Sequence, residues 1–244
     1  MAIKLGIDIG GSGIKAAKVD TEAGEFVSEK HRIVTPDPAT PEAVADVCRE
    51  LVKFHEWSGP VGIGFPGVVQ NGVIRTAANL DKSWIDVDGD ALFTEVCNCE
   101  VSMINDADAA GLAEVRFGAG ADVAGTVILL TLGTGIGSAV FTNGQLVRNT
   151  EFGHIDMDGK IAEDRASSRI KEDKDLSFKK WGGAVEDVLQ YVEKLFWPEL
   201  FILGGGISKD FGEFSEFIDK VRTPVVPAQM LNKAGIVGAA LAGQ

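Results

Sequence analysis

The chain has 244 residues, 45% hydrophobic and 24% charged, and sets 36 acidic side chains against 23 basic ones for a formal net charge of -13. This composition excludes the profiles of disordered, fibrous and membrane proteins, and so negative a field repels a nucleic-acid backbone, so no nucleic-acid partner is expected. A small anionic substrate stays open, because a few backbone N–H groups, a lysine and a divalent cation can invert the potential locally.

The opening MAIKLGIDIG shows no basic segment followed by an apolar one and a cleavage site, and no stretch reaches the roughly 18 to 20 apolar residues of a spanning helix. With an odd number of cysteines, Cys48, Cys97 and Cys99, the expectation is a reducing cytoplasm and no membrane.

In chain order, Ile3 to Ile9 reads as a strand that ends in Asp8 and the turn Gly10-Gly11-Ser12-Gly13, and Ile14 to Asp20 alternates as a second strand. Beyond a charged segment, Thr40-Pro41-Glu42 opens a helix with Thr40 as N-cap, carrying Val44, Val47, Cys48, Leu51 and Val52 at three-to-four spacing as far as Trp57. Val61 to Phe65 is a buried strand, and Asn71-Gly72 is a strong hairpin signal. The stretch 77–89 is irregular and holds Asn79, Asp81, Lys82 and Trp84 in a loop, where binding residues concentrate. Glu100 to Ile104 is a strand stopping at Asn105-Asp106, and Ala107 to Phe117 is helical, so Asp106 sits where a strand meets a helix N-terminus.

The opening pattern then recurs. Thr126 to Thr131 is a strand, Gly133-Thr134-Gly135-Ile136-Gly137 a glycine turn, Ser138 to Thr142 a strand, Asn143-Gly144 a hairpin turn, and Gln145 to Val147 a third strand. Asp175 to Lys194 is helical, Leu200 to Leu203 is a strand entering Gly204-Gly205-Gly206, and Ala234 to Ala242 is a small-residue helix. Two strand, glycine turn, strand units, each followed by alternating helices and strands, imply a duplicated α/β architecture with a cleft between its halves. The expected domains are a small one over 1–105 and a large one over 106–244, with the helix at 234–241 packing back on the small one.

The turns at Gly10 and Gly133 run on into strands, not helices, so they are not dinucleotide fingerprints, and no Lys-Ser or Lys-Thr completes a Walker A loop. What remains is a hairpin whose side-chain-free backbone can aim N–H groups at an anion. Tight turns that need positive φ are the plain alternative for each cluster.

The strings Gly6-Ile7-Asp8-Ile9-Gly10-Gly11-Ser12-Gly13-Ile14-Lys15, Asn105-Asp106-Ala107-Asp108-Ala109-Ala110, Leu132-Gly133-Thr134-Gly135-Ile136-Gly137 and Glu151-Phe152-Gly153-His154 resemble the ROK family of sugar kinases, in order and spacing, over nearly the whole chain. Through Ala77-Ala78-Asn79-Leu80-Asp81-Lys82-Ser83-Trp84, Arg222-Thr223-Pro224-Val225-Val226-Pro227-Ala228 and Asn232-Lys233-Ala234-Gly235-Ile236-Val237-Gly238 it is most similar to the polyphosphate-dependent glucose kinases of that family. The resemblance implies an actin-like, hexokinase-like (ribonuclease H-like) fold. It also implies a homodimer and phosphoryl transfer from inorganic polyphosphate, ATP or both to the 6-hydroxyl of glucose, with Mg2+.

On this resemblance Asp106 is the base that takes the hydroxyl proton, and Asn79, Asn105, Asp106, Glu151, His154 and Glu163 surround the hexose. Gly10, Gly11, Ser12, Gly13, Lys15, Gly133, Thr134, Gly135, Gly204, Gly205 and Gly206 hold the donor, and Asp8 holds Mg2+ through water. Read bare, Asp106 is more readily a cap of its helix than a base, and Lys15 is at least as readily a solvated strand residue.

Many family members carry a zinc-binding Cys-x-Cys-Gly-x-x-Gly-Cys run after the histidine. Here no cysteine lies between His154 and Glu163, and Cys97-Asn98-Cys99 lacks nearby partners for a tetrahedral site, so no structural zinc is expected. Arg165, Arg169, Lys171, Lys174, Lys179 and Lys180 form the one dense basic run, either a polyphosphate track or a solvated face interleaved with Glu172, Asp173 and Asp175. A strictly ATP-dependent kinase of the same fold and a non-catalytic sugar-binding regulator are the alternatives. Regulators of the family carry a DNA-binding segment ahead of the first strand, and with a strand read from Ile3 none is expected here.

Overall fold

The computed structural model describes residues 2–77 and 80–243. The chain begins as an antiparallel hairpin of β1 (Ile3–Gly10) and β2 (Gly13–Asp20), in continuous register from Ile3 opposite Asp20 to Gly10 opposite Gly13. The short β3 (Glu25–Phe26) and β4 (His31–Ile33), in the charged segment that carried no strand expectation, pair with β2 on its other edge. α1 (Pro41–Phe54) starts where Thr40 accepts a hydrogen bond from the Ala43 amide, and it ends before Trp57. β5 (Val61–Phe65) is wholly buried and runs parallel to β1.

β6 (Val69–Gln70) and β7 (Val73–Ile74) close the Asn71-Gly72 hairpin. Both turn residues take the left-handed φ that a type I′ turn requires. α2 (Gly89–Cys97) was not anticipated: Asp88 caps it, but only Gly89, Phe93 and Cys97 are buried, too few to show a helical period. β8 (Val101–Asn105) lies parallel to β5 and completes the order β3-β2-β1-β5-β8, with β4 also on β2. α3 (Asp106–Phe117) follows without a break.

The second sheet repeats the plan. β9 (Thr126–Leu132) and β10 (Ile136–Thr142) form an antiparallel hairpin extended by β11 (Gln145–Val147). Then come α4 (Glu163–Ala166), α5 (Ser168–Asp173) and α6 (Phe178–Phe196). α6 starts later than the expected Asp175, because Asp175 has a left-handed φ of 48 and Ser177 is the residue that caps the helix. β12 (Leu200–Gly204) is parallel to β9, α7 (Phe211–Phe214) is a single turn, and β13 (Val225–Pro227) finishes the order β11-β10-β9-β12-β13. Trp181, Val185, Val188 and Leu189 of α6 cover Ile128, Leu130, Phe201 and Leu203 of this sheet.

The last element, α8 (Ala234–Ala242), returns to the first sheet and packs on β1 and β5. Contacts divide the chain into one compact unit of the residues up to Ala113 with those from Asn232, and a second of Glu114–Leu231. The division falls inside α3 and not before Asp106. Among the described residues no helix is long and apolar enough to cross a membrane.

α8 touches the first sheet and α3 through glycines. A Cβ on Gly62 would lie 1.7 Å from the Ala239 carbonyl oxygen, one on Gly6 2.0 Å from that of Ile236, and one on Gly238 1.6 Å from that of Ala109. Backbone cannot step aside as a side chain can, so Gly62→Ala is expected to cost about 3 kcal/mol and lower Tm by roughly 6–12 °C. Gly183 is the opposite case, a glycine inside α6 with nothing within 4 Å of a Cβ. Gly183→Ala is expected to stabilise by about 0.5–1 kcal/mol. Thermal melts of the two variants beside the parent check both signs.

Candidate active site

In the first unit the parallel register sets Asp8 beside Gly64 and Gly64 beside Ile104, so Asp8 and Asn105-Asp106 lie at the carboxyl edge of the sheet. That edge is where α/β sheets bind ligands. With strands about 4.8 Å apart, the backbones of Asp8 and Ile104 are separated by roughly 10 Å.

The β1–β2 turn comprises Gly10, Gly11, Ser12 and Gly13. Neither Gly10 nor Gly13 has a left-handed φ, so conformational need does not account for those two glycines. The Thr35 hydroxyl donates to the Gly10 carbonyl at 2.5 Å. Lys15, part-exposed on its strand, places its Nζ 3.6 Å from Asp8 Oδ2. Burial pushes the Asp8 carboxyl above its usual range, and Lys15 and Lys30 oppose that rise. The start of α8 closes over Asp8, where a Cβ on Gly235 would come within 2.9 Å of its Cγ.

Asn105 is buried and engaged at both ends of its amide. Its Oδ1 accepts from the Asp108 amide at 3.0 Å and its Nδ2 donates to the Gly67 carbonyl at 3.1 Å. The capping role weighed for Asp106 therefore belongs to its neighbour. Asp106 is the first helical residue, half-buried, with Oδ1 accepting from the Ala107 amide at 2.8 Å. Asn79 lies outside the described residues.

In the second unit Gly204 pairs with Thr131, which brings Gly204-Gly205-Gly206 beside the Gly133-Thr134-Gly135 turn at the carboxyl edge of β9 and β12. Gly205 has a φ of 86 and is pressed against Leu132, so local geometry explains it. Gly133 and Gly206 are different, since a Cβ on either would meet nothing within 4 Å. Open space lies beside both. The Gly133 carbonyl accepts from Ser168 Oγ at 2.9 Å and from the Arg169 amide at 3.2 Å, so the beginning of α5 holds the turn. Of the basic run, Arg169 thus abuts the turn, while the Lys171 ammonium stands over the Phe178 ring at 4.2 Å.

Glu151, His154 and Glu163 come together in this unit. His154 Nδ1 is 3.7 Å from Glu151 Oε2. Glu163 reaches the glycine turn itself, where its Oε2 accepts from the Ile136 amide at 3.3 Å and leaves no room for a Cβ on Gly135. Burial pushes the Glu151 carboxyl above its usual range, His154 opposes the shift, and the Glu163 charge adds to it. Ser138, which carried no site expectation, fixes both neighbours of Glu151. Its buried Oγ donates to the Thr150 carbonyl at 2.7 Å and accepts from the Phe152 amide at 3.0 Å. A serine inside a strand gives no sign of this in sequence.

Among the described residues no group of three or more His, Cys, Asp or Glu is arranged to hold a metal ion. Asp8, a single carboxylate beside the glycine turn, has the donor chemistry of a site that holds Mg2+ through retained waters. The three cysteines are buried in the first unit, where burial raises the Cys48 thiol well above its usual value and the Cys97 thiol to about 12.

The ROK family model matches residues 4–174. Over 239 residues the sequence is 52% identical to a polyphosphate glucokinase of Mycobacterium tuberculosis (strain CDC 1551 / Oshkosh), covering 98% of this chain and 90% of that one. Its fold matches the inorganic polyphosphate/ATP-glucomannokinase from Arthrobacter sp. strain KM with a TM-score of 0.93 and 49% identity, over 99% of this chain and 98% of that one. It matches a ROK family glucokinase from Streptomyces griseus, solved with glucose and AMPPNP, with a TM-score of 0.83 and 26% identity over 99% of each chain.

Proposed function

The chain belongs to the ROK family, and from that membership we propose that it transfers the terminal phosphoryl group of inorganic polyphosphate to the 6-hydroxyl of glucose. The products are glucose 6-phosphate and a polyphosphate one unit shorter. The observation that carries this reading is the 52% identity, over 98% of the chain, to an enzyme named for both substrates. ATP is a second donor, since the relative with the 0.93 TM-score is named for polyphosphate and ATP alike.

In the reaction, the 6-hydroxyl oxygen attacks the terminal phosphorus, the phosphoanhydride bond breaks, and the shortened chain leaves with the bond's electrons. Asp106 takes the hydroxyl proton, a role supported by its place at the carboxyl edge and by Asn105 having taken over the cap. Glu151, His154 and Glu163 receive hexose hydroxyls as paired acceptors and donor, and Asn79 and the second N–H of Asn105 bind the hexose as well. Gly10 to Gly13 of the first unit, with Gly133 to Gly135 and Gly204 to Gly206 of the second, bind the donor through their amides. Mg2+, held by Asp8 through water, would supply charge neutralisation at those phosphates.

Steady-state glucose phosphorylation with polyphosphate and with ATP tests the reading. Turnover with polyphosphate is expected; turnover with ATP alone would replace it by the strictly ATP-dependent kinase, and none with either by the sugar-binding regulator.

Glu151 binds sugar as the carboxylate, and its elevated pKa means that protonation sets in at higher pH than for an ordinary glutamate near 4.5. The KM for glucose is therefore expected to rise as pH falls from neutral, before free carboxylates titrate. A pH profile of glucose KM shows this, and in Glu151→Gln the acid-side rise should vanish on a weaker baseline.

We also infer a homodimer, supported by Tyr191, Leu195, Phe196 and Trp197, which expose 39 to 63% of their surface around the end of α6. Sedimentation showing only a 25.8 kDa species would contradict it. A cytoplasmic location is supported by three protonated, buried thiols, and fractionation checks it.

A further inference from the structure

Across three neighbouring strands of the first sheet, Asp8 of β1 stands opposite Lys15 of β2, and Lys15 stands opposite Arg32 of β4. Directly opposed residues share a face, so one carboxylate and two cations form a row beside the glycine turn, with about 5 Å from each Cβ to the next. Lys30 is close enough to act on the Asp8 carboxyl as well. Basic side chains thus cluster beside one acid in a chain whose net charge is -13.

Asp8 engages Lys15 but not Arg32. The Arg32 guanidinium folds back over the turn, where Nη2 donates to the Ser12 carbonyl at 2.6 Å. It lies so close to Gly13 that a Cβ there would be 2.3 Å from Nε. The arginine thus lies over the glycine end of the turn. Of the five guanidinium N–H donors, one serves the carbonyl, and the planar fork that remains matches the paired oxygens of a phosphate.

Resting on the kinase reading above, we propose that Arg32 is a ligand for the donor's non-transferred phosphates. Along polyphosphate the charge continues past the transferred group, so a cation one strand beyond Lys15 meets a further anionic unit. The contact adds donor affinity and plays no part in bond making.

The test is steady-state kinetics of Arg32→Ala and Arg32→Lys with polyphosphate at several salt concentrations. For Arg32→Ala, the KM for polyphosphate is expected to rise about 10- to 100-fold, the range of a lost charge-assisted hydrogen bond. Its kcat should stay within about threefold, the KM for glucose should not move, and the salt dependence of polyphosphate KM should flatten. Arg32→Lys, which keeps the charge and loses the fork, is expected to fall between. An unchanged polyphosphate KM overturns the proposal, and so does a kcat that falls as far as KM rises, which is the mark of an arginine that only shapes the turn. A parent protein inactive with polyphosphate overturns this proposal and the donor reading together, whereas an active parent with an unaffected variant overturns this proposal alone.

Discussion

Asp106→Asn is expected to cut kcat about 10²- to 10⁴-fold while calorimetric affinity for glucose stays within a few-fold. In barrier terms that is about 3–5 kcal/mol. The substitution is nearly isosteric, and the amide oxygen of Asn can still accept from the Ala107 N–H as Asp106 Oδ1 does. The helix cap is untouched, because Asn105 supplies it. What is lost is the ability to take a proton from the attacking hydroxyl. Undiminished turnover would remove Asp106 from that role, and loss of glucose binding in parallel would make it a binding residue instead.

The largest loss of stability is expected at Glu114, two turns beyond Asp106 on α3. Its buried carboxylate accepts from the Ala119 amide at 2.9 Å, the Gln229 amide at 3.1 Å and the Met230 amide at 2.6 Å. It therefore ties the end of α3 to the segment leading into α8. Glu114→Ala strands three backbone donors at about 1–3 kcal/mol each, so a loss of roughly 4 kcal/mol or more and a Tm drop on the order of 10 °C are expected. Glu114→Gln should lose less, since one oxygen can keep the two bonds now made by Oε2 while its NH₂ opposes the Met230 N–H. Calorimetric melts of both check the order, and a shift below about 2 °C for the alanine variant would refute the argument.

What the sequence alone revealed depended on how far apart the cooperating residues lie. Alternation in Ile3 to Asp20, the Thr40-Pro41 helix start, Asn71-Gly72 and the small residues of 234–242 are local signals, and each appears where expected. α2, the one-turn helices and β13 stayed hidden because nine residues or fewer do not establish a period when few are buried.

The site was legible as a set of strings but not as a network. Nothing near Glu114 in sequence points to amides 115 and 116 residues away. Nothing around Arg32 points to Ser12, and a strand serine such as Ser138 looks like any other polar residue until its partners beside Glu151 are seen. The Asp8–Lys15 pair was equally hidden, since it requires knowing which residues the hairpin brings face to face.

The most direct test of the account is a crystal structure of the chain with glucose, Mg2+ and a non-reactive polyphosphate analogue. The account predicts the glucose 6-hydroxyl within hydrogen-bonding distance of the Asp106 carboxylate, about 2.6–3.2 Å, and the analogue's terminal phosphate on the amides of Gly10 to Gly13. A hexose bound with its 6-hydroxyl turned away from Asp106, or a phosphate chain seated away from that turn, would contradict it.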